Sequence, residues 1–385
     1  MKTIRFGIIG CGLMGKEFAS AAARWCHLID APARPELVAI CNRSDKPFAW
    51  FTENFPTIKQ VTHDYKELLA NKDVDAVYIA LPHDMHEQAY IDAIKAGKHL
   101  MGEKPFGIDR KANEAINAVI AQHPDVFVRC VSQFPFFPAV QQIGGMTDRG
   151  ELGRIIEVQT GFLHSSDLDV NKPINWKRQI ATNGAYGVMG DLGMHACHVP
   201  LRAGWRPLNV RAVLNNLVTE RYEAKGSSKK VPCETWDNAT LLIEAEQPDT
   251  RDRFPWTLRT HRIAPGEKNS WYVEVLGTQG CVRFNTRNPR QLERLQYTGG
   301  EQTWQHVQTG FDTAYPTITG GIFEFGFTDA MQQMWAAYLH EMVTGETPTR
   351  FAGCVRPEEA AISHAIFDAA LHSAEDQQTA PIRQP

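Results

Sequence analysis

Three glycines, Gly10, Gly12 and Gly15, stand directly behind the apolar run KTIRFGII and constrain this chain more than any other feature. Ile4, Phe6, Ile8 and Ile9 predict a buried parallel strand, and the glycines then turn the chain sharply into a helix that begins near Leu13 and reaches Trp25. Each glycine answers a separate demand. Gly10 permits the tight turn, Gly12 lets a diphosphate approach a backbone without a Cβ, and Gly15 lets the helix pack closely on the strand. The first helical turn, with Leu13 and Met14, presents N–H groups and the positive end of the helix dipole to the phosphates. The context predicts a dinucleotide, NAD or NADP, against the plainer reading of a strand, a turn and a helix with no ligand.

The alternation then continues. Strands are predicted at Glu36–Cys41, Ala76–Leu81, His99–Gly102 and Val126–Val131, with helices at Lys46–Asn54, Tyr65–Ala70, Met85–Ala96 and Arg110–Gln122 between them. A loop over Asp30–Pro35 leads into the second strand. Such alternation predicts an α/β fold, a doubly wound parallel Rossmann sheet with ligands at the carboxyl ends of its strands. Beyond Gln133–Pro138 the pattern changes. A helix over Ala139–Arg149 is followed by β-rich segments at Ile155–Phe162, Val210–Val218, Ala239–Ala245, Trp256–Arg262, Trp271–Leu276 and Gly280–Asn285. Strands in direct succession predict a second, α+β domain on a large, mostly antiparallel open sheet, closed by helices at Glu324–Thr344 and Arg356–Ala374. The expected division is therefore 1–132 for the cofactor domain and 133–385 for the substrate domain, with the C-terminal helix packing back on the first.

A length of 385 residues is enough for two domains, and 43% apolar with 22% charged residues is ordinary globular composition. With a formal net charge of −4, nothing points to nucleic acid. No apolar run has the length of a membrane span, and the amino terminus enters a strand without a signal-peptide pattern, so the expected location is cytoplasmic. Eight cysteines without a CxxC pair read as buried or free thiols. Two clusters, His83 with His86 and His195 with Cys197 and His198, lack a second half at ligand spacing, so no metal site is expected.

Four places carry polar groups that composition alone does not explain. Pro82 and His86, just past a strand end, are candidates to line the cofactor, with a helix start capped by Asp84 as the alternative. Glu103-Lys104-Pro105 follows another strand end, where an ammonium can polarise a carbonyl or stabilise an alkoxide and where the proline suits a fixed, even cis, backbone. Glu103 and Lys104 are also candidates to line the cofactor, and the alternative is a surface Glu–Lys pair. In NGAYGVMGDLGMHACH, Asp191 and His195 are four residues apart, one face of a helix, so a carboxylate can orient an imidazole that accepts an alcohol proton. Trp176, Lys177 and Arg178 offer an indole and two cations to a sugar, or else form a surface patch. His164 and His261 are further candidates. After the second strand, Asn42 and Arg43 replace the acid that usually binds the ribose diol, which leans toward NADP or dual use.

The glycine turn with Met14, the AVYIALPHDMH strand end, the Glu103-Lys104-Pro105 turn and Asp191-Leu192-Gly193-Met194-His195 occur in the order found in the glucose-fructose oxidoreductase, inositol dehydrogenase and rhizopine catabolism (Gfo/Idh/MocA) family, which this chain resembles over essentially its whole length. The resemblance implies NAD(P)-linked oxidoreductase chemistry on a sugar, polyol or related pyranose. It further implies a homodimer or homotetramer formed through the open sheet. By position, Lys104 matches the family's catalytic lysine, Asp191 its aspartate and His195 its histidine, whereas His198, taken with His164 as a substrate-binding candidate, stands where many members carry a second acid. The same resemblance extends to NAD-dependent glycosidases that oxidise, eliminate and reduce without net turnover of cofactor. A nucleotide-sensing regulator on this fold is the reading from another class.

Overall fold

A computed structural model describes residues 1–310 and 313–385. In chain order it contains β1 (Lys2–Ile9), α1 (Leu13–Ala23), β2 (Ala33–Cys41), α2 (Phe48–Asn54), β3 (Gln60–Thr62), α3 (Tyr65–Ala70), β4 (Ala76–Ile79), α4 (His86–Lys95), β5 (His99–Gly102), α5 (Arg110–Gln122) and β6 (Val128–Cys130). There follow α6 (Pro138–Asp148), β7 (Ile155–Leu163), α7 (Ile180–Asn183), α8 (Met194–Arg202), β8 (Arg206–Asn215), β9 (Glu220–Tyr222), β10 (Lys230–Pro232), β11 (Asn238–Glu246), β12 (Arg253–His261), β13 (Ser270–Gly277), β14 (Gly280–Asn285), β15 (Gln291–Gln296), β16 (Gln305–Gln308), α9 (Phe327–Thr344), α10 (Pro357–Asp376) and β17 (Ala380–Pro381). The chain divides into two compact units, Met1–Gly107 with Lys111–Pro138 and Gly310–Pro357, and Ile108–Arg110 with Ala139–Thr309 and Glu358–Pro385.

The first unit is built on a parallel six-stranded sheet in the order β3-β2-β1-β4-β5-β6. Its inner strand β4 has no exposed residue at all, as an apolar run with helices above and below requires. Pro35, expected in a loop, belongs to β2 and pairs with Ile4. It is tolerated because β3 covers only Ala39–Cys41, so at Pro35 the strand has a single neighbour and needs no second donor. Segment 310–357 clusters here although the second unit precedes it in sequence. The reason is aromatic: Trp335 of α9 stacks on Phe18 at 3.7 Å and meets Tyr78 and Phe6 edge-on at 5.0 and 5.9 Å. Each such pair adds about 1 kcal/mol beyond its burial.

The second unit carries a nine-stranded sheet in the order β16-β15-β14-β13-β7-β12-β11-β8-β17. All its pairings are antiparallel except β7 with β12. In β12 alternate residues Phe254, Trp256, Leu258 and Thr260 are buried, the period of a half-covered strand. The peripheral strands β15, β16 and β17 were not predicted; β15 carries only Leu292 and Leu295 inward, too sparse a pattern to read. Met189–Gly193 forms a π-helical turn that runs into α8. Asp191 and His195 therefore lie across a π-to-α junction and not, as expected, on one regular helix.

Candidate active site

In the first unit the carboxyl ends of β1, β2, β4 and β5 gather the expected cofactor residues. Gly10 has a φ of 102°, and a Cβ there would lie 2.2 Å from the Ala80 carbonyl oxygen, so only glycine fits. At Gly15 a Cβ would meet the Gly10 carbonyl at 2.4 Å, the signature of close helix–strand packing. Gly12 differs, because a Cβ there meets nothing within 4 Å. The space beyond it is open, Leu13 is 75% exposed beside it, and α1 starts with neither a side-chain cap nor an acidic residue in its first turn. Its leading N–H groups, which no helix can satisfy internally, fit a diphosphate. Asn42 braces the turn, accepting from the Cys11 N–H at 3.2 Å and donating to the Ser44 carbonyl at 2.9 Å, while Arg43 next to it is exposed.

The Lys104–Pro105 peptide is cis, and Lys104 is partly exposed. His86 and Glu103, expected to line the cofactor, are instead placed behind this turn. His86 has no exposed surface, with Nδ1 at 2.8 Å from the Pro105 carbonyl and Nε2 at 2.9 Å from the Leu81 carbonyl. Burial pushes its pKa down to about 4 against the two carbonyls, which pull it up, and the nearby Lys104 ammonium adds to the fall, so the ring is a buried strut. The Glu103 carboxylate is buried and accepts from the Tyr78 hydroxyl at 2.6 Å. Pro82 remains at the rim as the partly exposed residue that opens the turn after β4.

In the second unit, Asp191 is buried at 2% exposure between two cations. Lys177 Nζ lies 3.0 and 3.2 Å from its two oxygens, and the Arg262 guanidinium donates to Oδ2. Asn175 caps the short turn that delivers Lys177, whose ammonium also lies 5.5 Å from the centre of the Trp176 ring. Arg178, expected at the substrate, has no exposed surface; its guanidinium donates to Asn216 Oδ1 at 2.8 Å and the Val218 carbonyl at 3.0 Å and pairs with buried Asp237. It braces this unit and is withdrawn from the substrate set. His195 is held through its carbonyl by the Trp271 indole N–H at 2.9 Å, and its ring meets Phe162 edge-on at 5.6 Å. His164 packs on the same Phe162 at 4.8 Å, and His198 is buried one turn beyond His195. His261 lies at the end of β12, where burial lowers its pKa and Arg259 adds to the effect.

Sequence reasoning missed Arg262 and Tyr78. Both left a signal. Arg262 continues the inward alternation of β12, so a charge falls on a buried face, and Tyr78 puts a hydroxyl in a strand buried on both sides. Among the described residues no group of three or more His, Cys, Asp or Glu is placed to hold a metal, and no helix is long and apolar enough to cross a membrane.

Sheet order, glycine turn and open space at Gly12 define a dinucleotide-binding protein of the Rossmann class. Residues 4–129 match the Gfo/Idh/MocA oxidoreductase family, NAD-binding Rossmann fold, and residues 140–283 match the C-terminal domain of the same family. The chain belongs to this family, and its first unit contains an NAD-binding Rossmann domain. It is 30% identical over 304 residues to the uncharacterized oxidoreductase YrbE of Bacillus subtilis, covering 76% of each chain. Levoglucosan dehydrogenase of Pseudarthrobacter phenanthrenivorans is 25% identical over 305 residues, again 76% of each. Among solved structures, levoglucosan dehydrogenase in complex with NADH superposes with a TM-score of 0.87 at 23% identity, and an oxidoreductase domain protein of Kribbella flavida with 0.88 at 21%, each over the full length of both chains.

Proposed function

We infer that this chain is an NAD(P)-linked dehydrogenase of a pyranose or polyol. The bound nicotinamide supplies the hydride acceptor or donor for a secondary carbinol of the substrate. The chain's own residues do the rest. His195 takes the hydroxyl proton, Asp191 orients that imidazole, and Lys104 stabilises the developing alkoxide. Trp176, Lys177 and His164 orient the sugar, with His198 backing His195. Gly10, Gly12, Leu13, Met14, Gly15 and Pro82 seat the cofactor.

The observation that carries this reading is the Asp191 carboxylate, buried between Lys177 and Arg262 on the turn that leads to His195. Desolvating a carboxylate and a guanidinium is expensive, and a protein that only sensed nucleotide would have no use for them. Similarity to a levoglucosan dehydrogenase supports a sugar-derived substrate. Cofactor choice rests with Asn42 and Arg43, which present no carboxylate to a ribose diol and one cation to a 2′-phosphate. We extend the proposal to the domain roles, cofactor in 1–132 and substrate in 133–385, and to a homodimer or homotetramer through the outer face of the second sheet. Val213 and Leu242 are 57% and 52% exposed there.

A substrate screen that follows reduced nicotinamide and released aglycone in parallel tests the reading. Net reduced cofactor with a free sugar or anhydrosugar supports it. Aglycone release without net reduction replaces it with a redox-neutral glycosidase, and no hydride exchange with any polyol replaces it with a regulator. Native mass spectrometry of the same sample gives oligomer size and copurified nucleotide.

A further inference from the structure

We propose that Glu103, locked by the Tyr78 hydroxyl, is the positioning residue that fixes the backbone turn from which Lys104 projects. The proposal rests on the role of Lys104 given above.

Every polar group of Glu103 is engaged. Its N–H donates to the Ile79 carbonyl at 3.2 Å and its carbonyl accepts from the Tyr90 hydroxyl at 2.8 Å. Of its carboxylate oxygens, Oε1 accepts from Tyr78 at 2.6 Å and Oε2 from the Lys104 backbone N–H at 3.3 Å. The following residues are held the same way: His86 Nδ1 lies 2.8 Å from the Pro105 carbonyl, and Asn113 Nδ2 donates to the Phe106 carbonyl at 2.7 Å. Lys104 thus projects from a backbone clamped on both sides by buried side chains. A surface glutamate beside a lysine needs no such housing, and a buried carboxylate costs several kcal/mol to desolvate.

The buried Cys130 thiol is pushed up by burial first and by Glu103 next, while Lys104 pulls it down, so carboxylate and ammonium act on one neighbouring group. Tyr78 has its own pKa driven well above the ordinary phenol range by burial and by Glu103, which keeps its hydroxyl a donor. Titratable groups that reach Glu103 include Tyr78 from β4, Tyr90 from α4 and Cys130 from β6, with Cys354 facing Cys130 from behind.

Tyr78→Phe and Glu103→Gln test the proposal with two readouts. In turnover, kcat should fall about ten-fold or more in both variants while the cofactor dissociation constant stays within about two-fold. Independently of activity, amide hydrogen exchange of the peptide that spans Lys104 should be at least about three-fold faster in both variants, because the side chains that hold its backbone N–H are lost or loosened. Wild-type turnover and wild-type exchange overturn the proposal, as does a fall in kcat matched by an equal loss of cofactor affinity. Should Glu103→Gln not fold, Tyr78→Phe, which removes one oxygen, decides the matter. If the wild-type protein moves no hydride to any polyol, the catalytic role of Lys104 fails, and the exchange alone shows whether Glu103 and Tyr78 hold the turn.

Discussion

At Gly10–Gly15 the proposed binding surface is backbone, and the turn is possible because side chains are missing from it. Around Asp191 the reverse holds: Lys177, Asp191 and Arg262 arrive from three separate segments, with the carboxylate and the guanidinium buried and the ammonium partly exposed. One region is disabled by adding atoms, the other by removing charge. The first is encoded within six consecutive residues, whereas the second depends on residues 14 and 71 positions apart meeting correctly.

The contrast is broken most severely by Asp191→Asn. That substitution leaves two cations facing each other without their anion, and breaking a buried pair costs about 3–5 kcal/mol. Denaturant unfolding should show that loss, together with turnover reduced about a thousand-fold. Gly10→Ala comes next. With a φ of 102° and the Ala80 oxygen in the way, a single methyl should destabilise the protein by about 3 kcal/mol and abolish cofactor binding. Gly12→Val sharpens the point, since its side chain enters open space: unfolding should be nearly unchanged, while the cofactor dissociation constant rises about a hundred-fold. Equal effects on stability at Gly10 and Gly12 would contradict the division of labour between the two glycines.

A smaller effect separates the struts from the groups that touch ligands. His86 has a folded-state pKa of about 4 against an ordinary 6.5, so as pH falls the unfolded chain takes up the proton first. Its contribution is fully present above pH 6.5 and is lost progressively as pH falls toward about 4, in all about 3 kcal/mol. Thermal midpoints across that window should decline less steeply in His86→Gln than in the wild type. Smallest of all, Arg43→Ala should weaken NADP binding several-fold and leave NAD binding within about two-fold. Equal, unchanged affinities for both would remove any role for Arg43.

The same contrast explains what the sequence could disclose. Both sheets were legible because their signals are local: apolar runs for the parallel strands, alternation for the antiparallel ones, and glycines at the turn. Lys104 and Asp191 were visible as polar residues at strand ends or in glycine-rich turns. The pairings behind them were not. Tyr78 meets Glu103 across 25 residues because β4 and β5 lie side by side, and Arg262 meets Asp191 only once β12 takes its place beside β7. Arg178 misled for the same reason, since its burial comes from Asn216, Val218 and Asp237, none of them near it in sequence. Charge at a motif is readable; whether it faces a ligand or a neighbour is decided by register.

The account turns on one claim, that an ammonium and an imidazole do the proton and charge work of hydride transfer. Single-turnover formation of reduced nicotinamide, measured beside equilibrium cofactor binding in Lys104→Ala and His195→Asn, tests it directly. The account predicts transfer slowed about a thousand-fold in each variant with cofactor affinity within about two-fold of wild type. Transfer at the wild-type rate in either variant, or transfer lost only in proportion to cofactor affinity, would contradict it.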